Sequence, residues 1–269
     1  MCGGTNARRV FVYEAPPPGE IGFRRPPGSS YHREIWQFPD SNHFVSRHAM
    51  TVAADYGGSY VDATYNGETG LVAAFERIIA LPREKSDNVA RVARVRAFAD
   101  MHLQAAKQPC LLDVGSGLGV FPYAMRQAGW TCTAVDPDPR AAHHLRTRVG
   151  VEAICSDFRK VEDIGTFDVV TLNKVLEHVE DPVQMLRHVH SVLSPGGFVY
   201  IELPDGEMAA RVGQERQEFF IEHFHVFSFA STVMLASRAG FTPVCVERLQ
   251  EPSTKFTLRG FLVPNGSAV

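Results

Sequence analysis

Cysteine is scarce in this sequence, with five among 269 residues: Cys2, Cys110, Cys132, Cys155 and Cys245. Their number is odd, they are widely spread, and no C-x-x-C pair occurs, which argues against a zinc ribbon or a dithiol redox motif. Three sit in or beside apolar runs of strand length, where a reduced cysteine packs as a small hydrophobe. A reducing, cytoplasmic location is expected. Long hydrophobic runs are lacking too, so a membrane span is excluded. The start, MCGGTNARRVFVYEAPPPGE, holds no uninterrupted apolar stretch of the signal-peptide kind. Cys2 stands where myristoylation requires glycine. Neither sign of charge dominates, with 27 Lys and Arg against 30 Asp and Glu, a net −3. That balance supplies no global field for nucleic acid or an anionic membrane. A small-molecule partner, or a local site on a larger one, is expected instead.

What the chain does contain changes character along its length, without internal repeats. Residues 1–50 hold the clusters APPPGE and RRPPGSS and an excess of arginine, a composition that favours an extended or irregular arm. Residues 51–67 suggest a short helix and a loop in which Tyr56, Tyr60 and Tyr65 supply aromatic faces for a lid. Apolar residues at three- and four-residue spacing predict helices over 71–82 and 86–104, with Val89, Val92, Val95 or Arg96, and Ala99 on one face and Ser86 as N-cap. From residue 109 onward, short apolar strands at 110–114, 131–135, 152–155, 167–172 and 197–203 alternate with helical stretches at 118–128, 138–148, 157–163 and 181–193. That rhythm indicates a parallel sheet covered on both faces. A helix around 228–239 and strands at 242–249 and 256–263 follow. The link between the last two is too short for a parallel crossover, which takes about a dozen residues or more, so they form an antiparallel hairpin. The expected division is an N-terminal arm and helical lid over 1–85 and an α/β domain over 86–269.

The segment from Leu111 to Gly119, LLDVGSGLG, runs a buried strand into a turn with three glycines and then opens a helix. Glycine lets backbone approach a ligand closely and take up positive φ. In doubly wound sheets, ligands bind at the carboxyl ends of the strands. Asp136 ends the second strand, where a carboxylate accepts from both ribose hydroxyls of nicotinamide and S-adenosyl cofactors alike. The dinucleotide fingerprint wants a third glycine at position 120, which is Val120. Turn and acid alone leave both cofactors open.

LLDVGSGLG, AVDPDP, CSDF, FDVVTLNKVLEHVEDP and LSPGGFVYIELP, in that order over about residues 90–265, resemble the successive motifs of the class I S-adenosylmethionine-dependent methyltransferases. The resemblance implies a doubly wound, mostly parallel seven-stranded α/β sheet of Rossmann-like methyltransferase type, ending in the antiparallel hairpin. It implies S-adenosylmethionine as cofactor and S-adenosylhomocysteine as by-product. Gly115, Ser116, Gly117 and Gly119 would line its methionine and ribose portion, with Asp113 beneath them. Asp136 would bind the ribose hydroxyls and Pro137 would lie against the adenine. Asp157 would accept from the adenine amino group, Phe158 would supply the next backbone N–H, and Asn173 would face the methionine end. Asp157 also reads as a helix N-cap and Phe158 as core.

Methyl transfer from a sulfonium gains chiefly from positioning, and a base is needed only where the acceptor must lose a proton. Two clusters offer one. The first is Glu177-His178. The ubiquinone-pathway O-methyltransferases carry an extra acid three residues before this glutamate, in a group associated with a divalent metal; here the position is Lys174, which disfavours a magnesium-type site. The second is Glu222-His223, in a segment whose E-H-x-x-x-F-S pattern resembles a subgroup of these enzymes that acts on small molecules and saccharides. His223, paired with Glu222 or another acid, would act as general base near neutral pH. Sugar C-methyltransferases of similar pattern use a tyrosine where this chain has Phe220, so an oxygen acceptor is expected. The sequence thus predicts O-methylation of a small-molecule or saccharide-type acceptor without a bound metal. A quinone- or lipid-type acceptor is the alternative within enzymes, and a non-catalytic cofactor-binding partner subunit the alternative outside them.

Overall fold

The computed structural model of the chain describes residues 6–20, 22, 30–50, 67–103 and 108–267. The helix and loop expected over 51–67, with the three lid tyrosines, fall outside the described residues except for Gly67. Three strands come first: β1 (Arg8–Tyr13), β2 (Arg33–Phe38) and β3 (His43–Arg47). Two helices follow, α1 (Glu68–Ile79) and α2 (Asp87–His102). Strand β4 (Cys110–Val114), helix α3 (Val120–Gln127), strand β5 (Thr131–Asp136), helix α4 (Pro139–His144) and strand β6 (Glu152–Cys155) come next. Then come β7 (Phe167–Asn173), α5 (Pro182–His188), β8 (Leu193–Pro204) and α6 (Gly206–Val212). The chain closes with β9 (His225–Val226), α7 (Phe229–Arg238), β10 (Phe241–Gln250) and β11 (Phe256–Pro264).

Seven of these strands build the main sheet in the order β10-β11-β8-β7-β4-β5-β6. The pairs β4–β5, β4–β7, β5–β6 and β7–β8 are parallel, while β11 runs antiparallel to both β8 and β10. The expected terminal hairpin is therefore present. Residues 197–204 of β8 are all buried, as a strand with helices on both faces requires. Strand order reverses at β4, which lies between β5 and β7. The helices on either side of that reversal part there and open a crevice at the strands' carboxyl ends.

Several elements differ from expectation in instructive ways. The buried face of α2 runs through Asn88, Val95, Phe98 and Ala99, whereas Val89 is 38% exposed. Ser86 holds the N-cap position of α2 but makes no side-chain capping bond. The helix expected over 157–163 is only a 3-10 turn, Phe158–Lys160. Beyond His144, α4 continues as a π turn, Leu145–Val149. Helix α6 and strand β9 were not anticipated.

The largest correction concerns residues 1–50. The expected irregular arm is in fact three antiparallel strands, completed by β9 into a second sheet of order β1-β2-β3-β9. In β2, REIWQF, Arg33, Ile35 and Gln37 are buried at every second position while Glu34 and Trp36 are half-buried, a period-two pattern. The flanking Pro/Gly clusters mask it in the sequence. This sheet has its own core, including Tyr13, Ile35, Phe44, Phe219 and Val226. At its centre lies Arg33, completely buried. Its guanidinium pairs with Glu20 at 2.9 Å, donates to the Phe219 carbonyl and lies over the Tyr13 ring at 4.2 Å. Glu20 also accepts from Tyr31 Oη at 2.6 Å and from the Ile221 N–H at 2.8 Å. Removing one partner of such a pair strands the other charge. Arg33→Ala is accordingly expected to lower the unfolding free energy by about 3–5 kcal/mol, measured as a fall in the denaturant midpoint at constant slope.

Candidate active site

The crevice floor is set by Asp113, near the end of β4. Its Oδ1 accepts from Thr171 Oγ1 at 2.6 Å and from Asn173 Nδ2 at 2.9 Å, both on the neighbouring β7. Burial pushes this carboxyl up to about 6 against the pull of those hydrogen bonds. Above it the glycine turn begins, and Gly115 N donates to the Val135 carbonyl at 2.8 Å. Gly115 has φ +67°, and a Cβ there would come within 2.7 Å of Val175. Gly117 has φ +51°, but its missing Cβ would meet nothing within 4 Å among the described residues. One glycine is demanded by packing, the other leaves space for a ligand.

Asp136 ends β5 with Oδ2 accepting from Gly117 N at 2.8 Å and Oδ1 from Asp138 N at 3.0 Å. Burial raises it to about 6 despite both bonds. A carboxylate has about four lone-pair sites, so each oxygen keeps acceptor capacity. Asp138 caps α4 by accepting from Arg140 N at 2.8 Å, with Pro139 at the first helical position. One strand further on, Asp157 caps the 3-10 turn through Arg159 N at 3.0 Å and pairs with the Arg159 guanidinium at 2.7 Å. That pairing holds its carboxyl below the ordinary range. The Phe158 ring is buried against His188 with centroids 4.9 Å apart.

These ends enclose a cavity of about 690 Å³, within the usual range of ligand pockets. Asp113, Gly115, Ser116, Gly117, Asp136 and Pro137 line it, as do Asp157, Phe158, Asn173 and His178. Gly119 is not among the lining residues. Its φ is +69°, and a Cβ there would come within 2.6 Å of Leu145 and 2.7 Å of Val149, so it lets α3 close onto the π turn. Lining residues that the sequence reading did not assign to the site include Arg91 of α2, Ser156 and Lys174. Arg91 binds the buried Glu202 of β8 at 2.6 Å, and Glu202 falls to about 2 in consequence, its burial outweighed. Lys174 takes the left-handed conformation, φ +59°, and donates from Nζ to Thr257 Oγ1 at 2.6 Å. An arginine on the apolar side of an amphipathic pattern was the available signal for the first; nothing local marks the others.

The two candidate base clusters meet in space. Phe224 N donates to the Glu177 carbonyl at 2.8 Å. His178 Nδ1 lies 3.0 Å from the Glu222 carbonyl, and His223 Nδ1 lies 2.8 Å from the Glu218 carbonyl. A carbonyl only accepts, so both imidazoles carry their proton on Nδ1 and a lone pair on Nε2. The rings approach edge to face, centroids 4.8 Å apart. Burial pushes His178 down to about 4 and His223 well below 6.5, and lifts Glu177 and Glu222 to about 7. Of these four side chains only that of His178 lines the cavity.

The family model described as "Methyltransferase domain" matches residues 79–246, more than half of the chain. The chain belongs to the S-adenosylmethionine-dependent methyltransferases. Among curated proteins it is similar to the ubiquinone biosynthesis O-methyltransferase of Pseudomonas paraeruginosa, 36% identical over 116 residues, 39% of this chain and 50% of that protein. It is also similar to the protein of that name from Xanthomonas campestris pv. campestris, 37% identical over 98 residues, 34% of this chain and 41% of the relative. The chain thus spans about half the length, or less, of these curated relatives. Among solved structures, the Burkholderia thailandensis 1,6-didemethyltoxoflavin-N1-methyltransferase shares the fold at 18% identity and a TM-score of 0.54, over 82% of this chain and 95% of that one. Magnesium protoporphyrin IX methyltransferase from Synechocystis PCC 6803 shares it at 14% identity and 0.55, over 77% and 97%. Both were crystallised with S-adenosylhomocysteine.

A second pair of histidines ties the methyltransferase site to the N-terminal sheet. His225 Nε2 donates to the Glu180 carbonyl at 3.1 Å, which leaves its Nδ1 to accept from His43 Nε2 at 3.1 Å. Burial and the adjacent His225 hold His43 well below 6.5. Above pH 6.5 folded and unfolded chains both carry it neutral. Below 6.5 the unfolded chain takes up a proton that the folded chain refuses, and stability falls. Relative to His43→Gln, the methyltransferase is expected to lose up to about 1.4 kcal/mol per pH unit below 6.5, read from urea unfolding between pH 7.5 and 5.

Proposed function

We propose that this methyltransferase transfers its methyl group to a hydroxyl oxygen of a small aromatic acceptor of quinol type. The observation that carries the oxygen-acceptor reading is the meeting of His178 and His223, both with Nε2 lone pairs, beside the crevice end where Asn173 and Lys174 sit. The names of the ubiquinone-pathway relatives support the acceptor class, and Val175, Val179 and Met185 give that end of the cavity apolar walls suited to a ring. The relatives lend no support to the saccharide-type acceptor suggested by the E-H-x-x-x-F-S segment.

The residues present fit the cofactor. Asn173 Oδ1 is buried and has no hydrogen-bond partner among the described residues, an acceptor placed for the methionine ammonium group. The open space over Gly117 admits a ligand against bare backbone, and the remaining lone pairs of Asp136 suit two ribose hydroxyls. Asp157 and the Phe158 backbone stand at the adenine end. Bound there, S-adenosylmethionine supplies a methyl group already activated for displacement. The protein's tasks are then to hold the acceptor in line, exclude water and remove the hydroxyl proton. His178, the member of the pair that lines the cavity, takes that proton. His223, held by the Glu218 carbonyl, packs edge to face against it and, with Glu222, keeps the base desolvated.

Two variants separate cofactor binding from acceptor activation. Asp136→Ala is expected to weaken S-adenosylhomocysteine binding by about 1–3 kcal/mol, the loss of charged hydrogen bonds, by titration calorimetry. His178→Ala is expected to retain that affinity while turnover of labelled S-adenosylmethionine on catechol and hydroquinone acceptors falls about 10²–10⁴-fold. Unchanged turnover removes His178 from the mechanism. Methylation of sugars in place of phenols in the same assay overturns the acceptor class.

A further inference from the structure

Lys174 follows directly on the last residue of β7 and stands there at two costs. Its φ is +59°, a conformation that crowds the Cβ of any residue but glycine. Its ammonium is buried, and burial holds it below its ordinary pKa. An ammonium carries three donors. Among the described residues this one makes a single side-chain hydrogen bond, to Thr257 Oγ1 at 2.6 Å. It faces the carboxyls of Glu202 and Glu177 and the cations of Lys255 and Arg91. Glu202 is already paired with Arg91 at 2.6 Å, and burial lifts Glu177 to about 7, so neither fully cancels the lysine's charge. Strained backbone of this kind collects at functional sites. Lys174 lines the cavity beside Asn173 and His178. Beyond the effect of burial, its charge also holds down His178 and His223, which places it within electrostatic reach of the base.

We propose that Lys174 is a catalytic residue whose ammonium donates to the acceptor oxygen and holds it as a phenolate for methyl transfer. The assignment rests on the reading of an oxygen acceptor at this end of the cavity and deepens it. When the acceptor hydroxyl gives its proton to His178, the charge left on oxygen lies between two cations, the imidazolium and the ammonium. A donor fixed in a desolvated site stabilises such a charge without reorganising. The new O–CH₃ bond then forms as the S–CH₃ bond of the cofactor breaks, the neutral thioether departs, and the imidazolium returns its proton to water. Thr257 keeps the ammonium in place throughout by accepting one of its three N–H bonds. The same cation selects oxygen over nitrogen. An amine facing it would either surrender the lone pair it needs for attack or turn its own N–H against the ammonium.

The test uses 4-nitrocatechol, whose phenolate absorbs in the visible, bound to full-length enzyme saturated with S-adenosylhomocysteine. The bound probe's hydroxyl is expected to ionise about ten- to a thousandfold more readily than in water, read from its absorbance between pH 5 and 9. Lys174→Met, which keeps the side chain's reach without its charge, is expected to abolish that gain while retaining S-adenosylhomocysteine affinity, which reports folding. Its turnover is expected to fall about 10²–10³-fold on catechol and less on 4-nitrocatechol, whose more acidic oxygen needs less help; a purely structural role would lower both alike. An unshifted probe on the wild-type enzyme overturns the proposal whether or not the variant folds, as does an undiminished shift in the folded variant. Methyl transfer to catechol alongside an unshifted probe leaves the oxygen-acceptor reading standing. A Lys174-dependent shift without transfer to any hydroxyl sinks that reading and leaves the oxyanion site. A probe that fails to bind at all overturns both.

Discussion

The hydrogen bond from Gly117 N to Asp136 Oδ2, 2.8 Å long, is the contact on which the crevice depends. It joins the end of one parallel strand to the turn leaving its neighbour and keeps the backbone over Gly117 from folding into the space below. The carboxylate that makes it is buried and lifted to about 6; desolvation works against its charge, and two backbone N–H groups work for it. A small or bulky apolar residue at 136 would remove the strain of burial and the reason for the turn's shape together. The same logic repeats at Asp113, whose bonds to Thr171 and Asn173 fasten β4 to β7 on the other side of the switch point. Two buried carboxylates thus frame the one place in the sheet where helices part.

The parallel sheet and its ligand crevice were legible in the sequence because their signals are local. A strand, a glycine turn and a helix start occupy nine residues, and Asp136 ends the strand that follows. The second sheet was hidden because its strands are five or six residues long and stand among proline and glycine clusters. It is also completed by β9, about 180 residues away, which no local pattern announces. Gly119 shows a subtler failure. In sequence it is indistinguishable from Gly115 and Gly117, yet its neighbours are Leu145 and Val149 of a turn two elements later. The face of α2 was misread for a similar reason. Arg91 belongs to the buried side because Glu202, on β8, is there to meet it.

The meeting of Glu177-His178 with Glu222-His223 was likewise beyond sequence. Each pair was recognisable as polar chemistry beside a strand end, but 44 residues separate the His178 ring from the carbonyl that fixes its tautomer. The N-terminal sheet enforces the meeting. Arg33 and Glu20 grip the Phe219 carbonyl and the Ile221 N–H, which holds the backbone immediately before Glu222 and His223. A segment that looked like an appendage therefore fixes the backbone from which the second pair projects.

Burial then gives this cluster an unusual balance. Desolvation penalises charge of either sign, so it lifts Glu177 and Glu222 to about 7 while pushing His178 down to about 4 and His223 well below its ordinary value. In water, two acids beside two imidazoles would settle as ion pairs. Here the imidazoles stay neutral near pH 7, and the carboxyls hover between states. Among the described residues no donor satisfies Glu177 Oε2. The arrangement is stable as a whole because the Arg33 network and the backbone carbonyls hold it, and it is receptive for the same reason: one added proton, drawn from an acceptor, relieves what the fold has left unmatched.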